Sequence, residues 1–221
     1  MNNLTQSFAI LIAFFAFTFY SGCNTTEIND STVSVIFSLS SITQKVSDET
    51  IQLDTVKILL SDVKIKNQSG NDETNIKVGP FVVYLNLSGV TTEFAVGQIP
   101  PGSYDRIRFR IHTFENSETP PDPEFKEGSL RYSLIVKGKY NSVPFIYKSK
   151  KSAHQDLKLE TPLQINENST ANLTITVDPP GWFYKDNVLM DPNDPANEND
   201  INNNVKHSFK KCFRDDDKDG K

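Results

Sequence analysis

Short runs of residues alternating with a period of two constrain this chain more than any other feature. In 106–112, Ile107, Phe109 and Ile111 fall on one side and Arg106, Arg108, Arg110 and His112 on the other. A strand with one dry and one wet face requires that pattern. Comparable runs occupy 33–39, 81–87, 94–99, 130–136, 143–147, 157–165 and 173–177, parted by Pro, Gly, Asn and Asp clusters. Roughly eight to ten short strands so punctuated describe an all-β sandwich or barrel. In 56–65 the apolar parity changes between Leu60 and Val63, which predicts a bulge near Ser61.

Beyond Asp178 the character shifts. Pro179, Pro180 and Gly181 end the last strand, and Trp182, Phe183 and Tyr184 come next. Ile201, Val205, Phe209 and Phe213 then recur every four residues, with Asp200 placed as an N-cap and Lys206, Lys210 and Lys211 near the far end. This spacing predicts one amphipathic helix of about three to four turns, followed by an acidic end.

The start of the chain points to export. Residues 8–20 form a thirteen-residue run without charge, the length of a signal-peptide core and short of the roughly 20 residues a bilayer span needs. Ser21, Gly22 and Cys23 come at once after it. Small residues before a cysteine resemble the lipobox of bacterial lipoproteins, which implies cleavage before Cys23 and acylation of its thiol. A plain secretory signal or an uncleaved short anchor are the alternatives. The expected organisation is a signal peptide at 1–22, a polar tether at 23–31, a β-domain at 32–178 and a helix-containing acidic tail at 179–221.

Charge narrows the partners. With 23 Lys and Arg against 28 Asp and Glu the net charge is −5, and residues 1–22 contribute none of it. An acidic domain has no general attraction to nucleic acid or to anionic lipid headgroups. The expected membrane attachment is therefore covalent, and nucleic acid is not an expected partner.

Two stretches carry a family resemblance. One is 56–66, around Ser61, Asp62 and Val63. The other is 84–109, containing Leu85, Leu87, Gly89, Val90, Thr91, Thr92, Pro100, Gly102, Tyr104, Ile107 and Arg108. Together they resemble the bacterial exported family termed domain of unknown function 4382, over roughly residues 32–178. The resemblance implies a lipoprotein or secreted protein with an antiparallel β-sandwich of the prealbumin-like or immunoglobulin-like type. It implies no catalytic residue. Tyr104, entering a strand after a Gly turn, is expected to bury its ring and bond its hydroxyl back to the preceding loop.

Four features could carry chemistry. Asp215, Asp217, Asp219 and Gly220 match the first half of a calcium loop. They read either as a solvated acidic end or as a weak calcium site helped by another segment; no other cofactor is expected. The Arg106, Arg108, Arg110 and His112 stripe reads as an acidic-ligand patch or as a face paired across strands. Trp182, Phe183 and Tyr184 read as a sugar-stacking surface or as a plug that pins the helix. Cys212 reads as a small packed residue on the helix or as a reactive thiol. His112, His154 and His207 lack ligand spacing, and no nucleophile or phosphate-loop motif occurs. The expected function is non-enzymatic: a membrane-anchored envelope lipoprotein with a binding or structural β-domain and a protein or glycan partner. The alternatives are a pilus- or adhesin-type subunit and a calcium- or glycan-binding module.

Overall fold

A computed structural model describes residues 30–40, 50–68 and 72–221. The expected signal peptide, the acylation site Cys23 and nearly all of the tether lie outside the described residues. Among the described residues no helix is long and apolar enough to cross a membrane.

The strands are β1 (Ser31–Leu39), β2 (Ile51–Asn67), β3 (Glu73–Tyr84), β4 (Thr92–Ile99), β5 (Gly102–Ile111), β6 (Lys126–Glu127), β7 (Leu130–Arg131), β8 (Leu134–Tyr140), β9 (Val143–Ser149), β10 (Ala153–Ile165), β11 (Thr170–Val177), β12 (Tyr184–Lys185), β13 (Val188–Leu189) and β14 (Cys212–Arg214). Among the described residues one α-helix, α1 (Glu198–His207), precedes the last strand. All-β is therefore the correct class.

Ten strands join one curled sheet in the order β4-β1-β11-β14-β10-β5-β2-β8-β9, with β3 added on β2. The sheet is mixed, which corrects the expectation of a purely antiparallel arrangement. β1 runs parallel to β11 from Thr32 opposite Thr170 to Leu39 opposite Val177. β14 runs parallel to β10 and antiparallel to β11. Local alternation sets which face of a strand is dry but says nothing about its neighbour's direction.

β2 is the spine. On one edge it pairs with β5 through its second half and with β8 through its first. The exchange falls at Leu59, whose N–H donates to the Ser133 carbonyl and whose carbonyl accepts from the His112 N–H. The pairings with β3 and β5 both slip just after Leu60, so the bulge expected near Ser61 is present. There one strand trades partners without losing a backbone hydrogen bond. On the sheet's other limb a side chain at Gly97 of β4 would collide with the Ile76 backbone of β3. Glycine is what lets these two strands approach.

A single core fills the curl. Phe37 of β1 stacks on Phe94 of β4 and meets Phe109 of β5 edge-on, and Phe209 closes the group at 5.2 Å from Phe109. Trp182, Phe183, Leu189, Met190, Ile201, Val205 and Cys212 belong to the same cluster. Residues past 178, expected as a tail, thus supply part of the core and one strand of the sheet.

The helix is shorter than its four-residue apolar period predicts. Its N-cap position is Asn197, which makes no side-chain capping bond, and not Asp200, and it stops at His207. Asp200 sits in its first turn and pairs with Lys185. Phe209 leaves the helix to fill the aromatic group, and Phe213 lies in β14. Burial of Phe209 and the sheet edges open to β14 outweigh continuation of a helix whose propensity is modest.

Candidate metal centre

The C-terminal loop brings three carboxylates together on the outer face of the sheet. Leu173, Ile175 and Val177 of β11 point into the core, so Thr174 points outward. β14 delivers Asp215 to that face: the Asp215 N–H donates to the Asn172 carbonyl, and the Thr174 hydroxyl donates to Asp215 Oδ2 at 2.6 Å. The chain then turns through Lys218 (φ 59°) and Gly220 (φ 81°), both left-handed, a conformation that favours glycine. The Gly220 N–H donates to Asp215 Oδ2 at 2.9 Å, and the Lys221 N–H donates to Asp219 Oδ1 at 2.8 Å.

One oxygen from each of Asp215, Asp217 and Asp219 lies within 4.8 Å of the others. Oxygens bound to one calcium ion at about 2.3–2.6 Å can be up to about 5 Å apart, so this spacing allows shared coordination. Asp217 and Asp219 are exposed, whereas Asp215 is only 3% exposed. Its Oδ1 is buried and has no hydrogen-bond partner among the described residues. Burial works against its ionisation, yet the Thr174 hydroxyl and the Gly220 amide, joined by the Asp217 side chain and the Asp219 backbone, hold the carboxyl below its ordinary range. An ionised, buried oxygen without a donor is costly. A divalent cation would satisfy it.

Other segments support the loop. The Ser38 hydroxyl of β1 donates to the Gly220 carbonyl, the Thr91 hydroxyl donates to the Lys218 carbonyl, and Lys218 pairs with Glu93 of β4 at 2.7 Å. The Asn172 amide donates to the Asp216 carbonyl. The loop comes after a strand and not a helix, unlike the helix-flanked calcium loop its sequence suggests.

The remaining candidates resolve into structure. Arg106 pairs with Asp156, Arg108 with Asp156 and Glu73, and Arg110 with Asp62. The stripe is a cross-strand charge ladder. Trp182 and Phe183 are fully buried, so neither presents a face to a sugar ring. Asn204 of α1 donates to the Trp182 and Tyr184 carbonyls, which pins the helix as the second reading expected. Cys212 is buried, on a strand and not on the helix, and burial pushes its thiol up to about 12, which makes it inert in this state. Tyr104 buries its ring and donates its hydroxyl to the Pro100 carbonyl at 2.7 Å, as expected.

One feature left no sequence signal beyond a proline-rich break. Residues 112–133 fold over the outer face of β2 and β8 and bury Phe114, Phe125 and Tyr132 against Leu59 and Ile135. Asp122 bolts this flap down. Its carboxylate accepts from Lys57 at 2.7 Å, from the Tyr84 hydroxyl at 2.6 Å and from the Glu124 N–H at 2.9 Å. Burial alone would raise its pKa; these three donors overrule it and hold the group down to about 2.

No family model matches the chain, and no curated protein matches it. Among solved structures, MbnP from Methylosinus trichosporium is similar at 9% identity with a TM-score of 0.40, covering 66% of this chain and 76% of that one.

Proposed function

We propose that this chain is a non-enzymatic envelope lipoprotein, anchored through an acylated Cys23, whose β-domain takes a calcium ion in the Asp215, Asp217 and Asp219 loop. The domain serves binding or envelope structure; the resemblance to domain of unknown function 4382 supports its export and its β-fold. Its curled sheet is a variant of the prealbumin-like or immunoglobulin-like sandwich. The observation that carries the cation reading is Asp215 Oδ1, buried and without a donor beside two exposed carboxylates. Oxygen donors of this kind suit a hard cation.

Calorimetry with calcium tests the site. Heat in the intact protein, and none after deletion of 215–221, is the expected result; no heat in the intact protein overturns the cation reading. Intact mass of the membrane-extracted protein tests the anchor: loss of residues 1–22 with added lipid mass is expected. A lipid-free product overturns the anchor.

The pilus- or adhesin-subunit reading needs an edge that accepts a donated strand. β9 is one end of the strand path, β4 being the other, and it exposes Val143 and Ile146. Pro144 and Lys148 sit on that strand, and both residue types discourage edge pairing. The edge therefore favours the first reading.

A further inference from the structure

We infer that cation binding at the Asp215 loop locks β14 into the sheet, so that the ion controls whether the seam between β11 and β10 is closed. The inference rests on the cation reading above. β14 is three residues long. It pairs with β11 through Leu173, Thr174 and Ile175 and with β10 through Leu159 alone. Within the sheet it is the strand that lies between those two. Flanking backbone bonds extend its pairing with β11, from the Lys210 N–H to the Thr176 carbonyl, from the Thr176 N–H to the Lys211 carbonyl and from the Asp215 N–H to the Asn172 carbonyl, but on the β10 side the register is a single pair, so the strand depends on what holds its end.

The C-terminal loop anchors β14. Asp215 is the next residue after the strand, and the loop it opens reaches β11 through Thr174 and Asn172, β1 through Ser38, and the entry to β4 through Thr91 and Glu93. Without a cation, three carboxylates crowd one another, and one buried oxygen lacks a partner. Like charges so close repel. The empty loop is therefore the weak link in the clasp, and a cation turns its repulsion into shared coordination. When the loop lets go, the edges of β10 and β11 lose their cover, and Cys212 leaves the core.

Cys212 reports the event. Cys23 and Cys212 are the two cysteines of the chain, so the full chain carrying Cys23→Ser has one thiol. Its reaction with a thiol reagent reads the population of the released state. If release of β14 requires release of the ion, calcium at about 100 times its dissociation constant slows the reaction about 100-fold relative to chelator. Asp217→Asn, at an exposed position, abolishes that calcium effect while keeping the fold.

The outcomes separate cleanly. Absence of calorimetric heat with calcium overturns the cation reading and the lock with it. Heat with a thiol rate unchanged between calcium and chelator overturns the lock and leaves the site. Loss of the whole β-sheet circular dichroism signal in chelator also overturns the lock, because the ion would then sustain the entire fold and not one strand.

Discussion

Asp122 and Asp215 are both buried carboxylates that pin a segment onto the outside of the sheet, and they differ in how completely they are satisfied. Asp122 has a cation, a hydroxyl and a backbone amide around it, with donors on both oxygens. Among the described residues Asp215 has two donors on Oδ2 and none on Oδ1. The first carboxylate is a finished bolt. The second is finished on one oxygen only, and it stands in a cluster with the exposed carboxylates of Asp217 and Asp219. A protein tolerates such a group where something arrives to complete it.

Experiments can widen or erase that contrast. The largest effect is expected from Asp122→Ala. It leaves Lys57, which is mostly buried, with Glu124 as its remaining carboxylate and takes a partner from Tyr84. Urea denaturation should show a loss of about 3 kcal/mol, near the lower end for breaking a buried pair. A loss below about 1 kcal/mol would mean that Asp122 is no bolt.

Next comes calcium itself. At about 100 times its dissociation constant it should stabilise the native chain by about 2.7 kcal/mol. Asp217→Asn should lose that gain and change little in chelator, whereas Asp122→Ala should keep it. Thermal melts of the two variants with and without calcium check the crossover.

Third is pH. The folded-state pKa of Asp122 is depressed from 3.8 to about 2, so its stabilisation is present above about pH 4 and is lost as the pH falls toward 2. The difference corresponds to roughly 2 kcal/mol. Asp122→Asn should flatten this acid limb in denaturation curves measured between those values.

The smallest effect belongs to the arginine ladder. Arg108→Ala removes an exposed pair of contacts to Asp156 and Glu73 and should cost about 0.5 kcal/mol, shrinking further in high salt. A larger salt-insensitive loss would place the ladder with Asp122.

The legible parts of this fold were the ones decided by near neighbours in sequence. Alternation placed β5 and its dry face, the parity change after Leu60 located the bulge, and the Gly turn before Tyr104 gave its hydrogen bond. Contacts made across long separations were not legible. Ile201, Val205, Phe209 and Phe213 satisfy a helical period, and only the aromatic group around Phe37 and Phe109 decides that Phe209 leaves the helix. The parallel course of β1 beside β11 depends on a partner 138 residues away. For the site, the Asp spacing was legible and the burial of Asp215 was not, because Thr174 and Asn172 come from another strand.

That distant partnership has a consequence for how the chain is born. The first strand emerges early, and one of its edges stays bare until residues near Thr170 have been made. Contacts of such span close slowly. In the interval a half-synthesised chain offers an unpaired, β-prone ribbon to its surroundings. Nascent chains cut short before β11 should therefore clump, while chains that run through the Asp215 loop to Lys221 should stay dispersed.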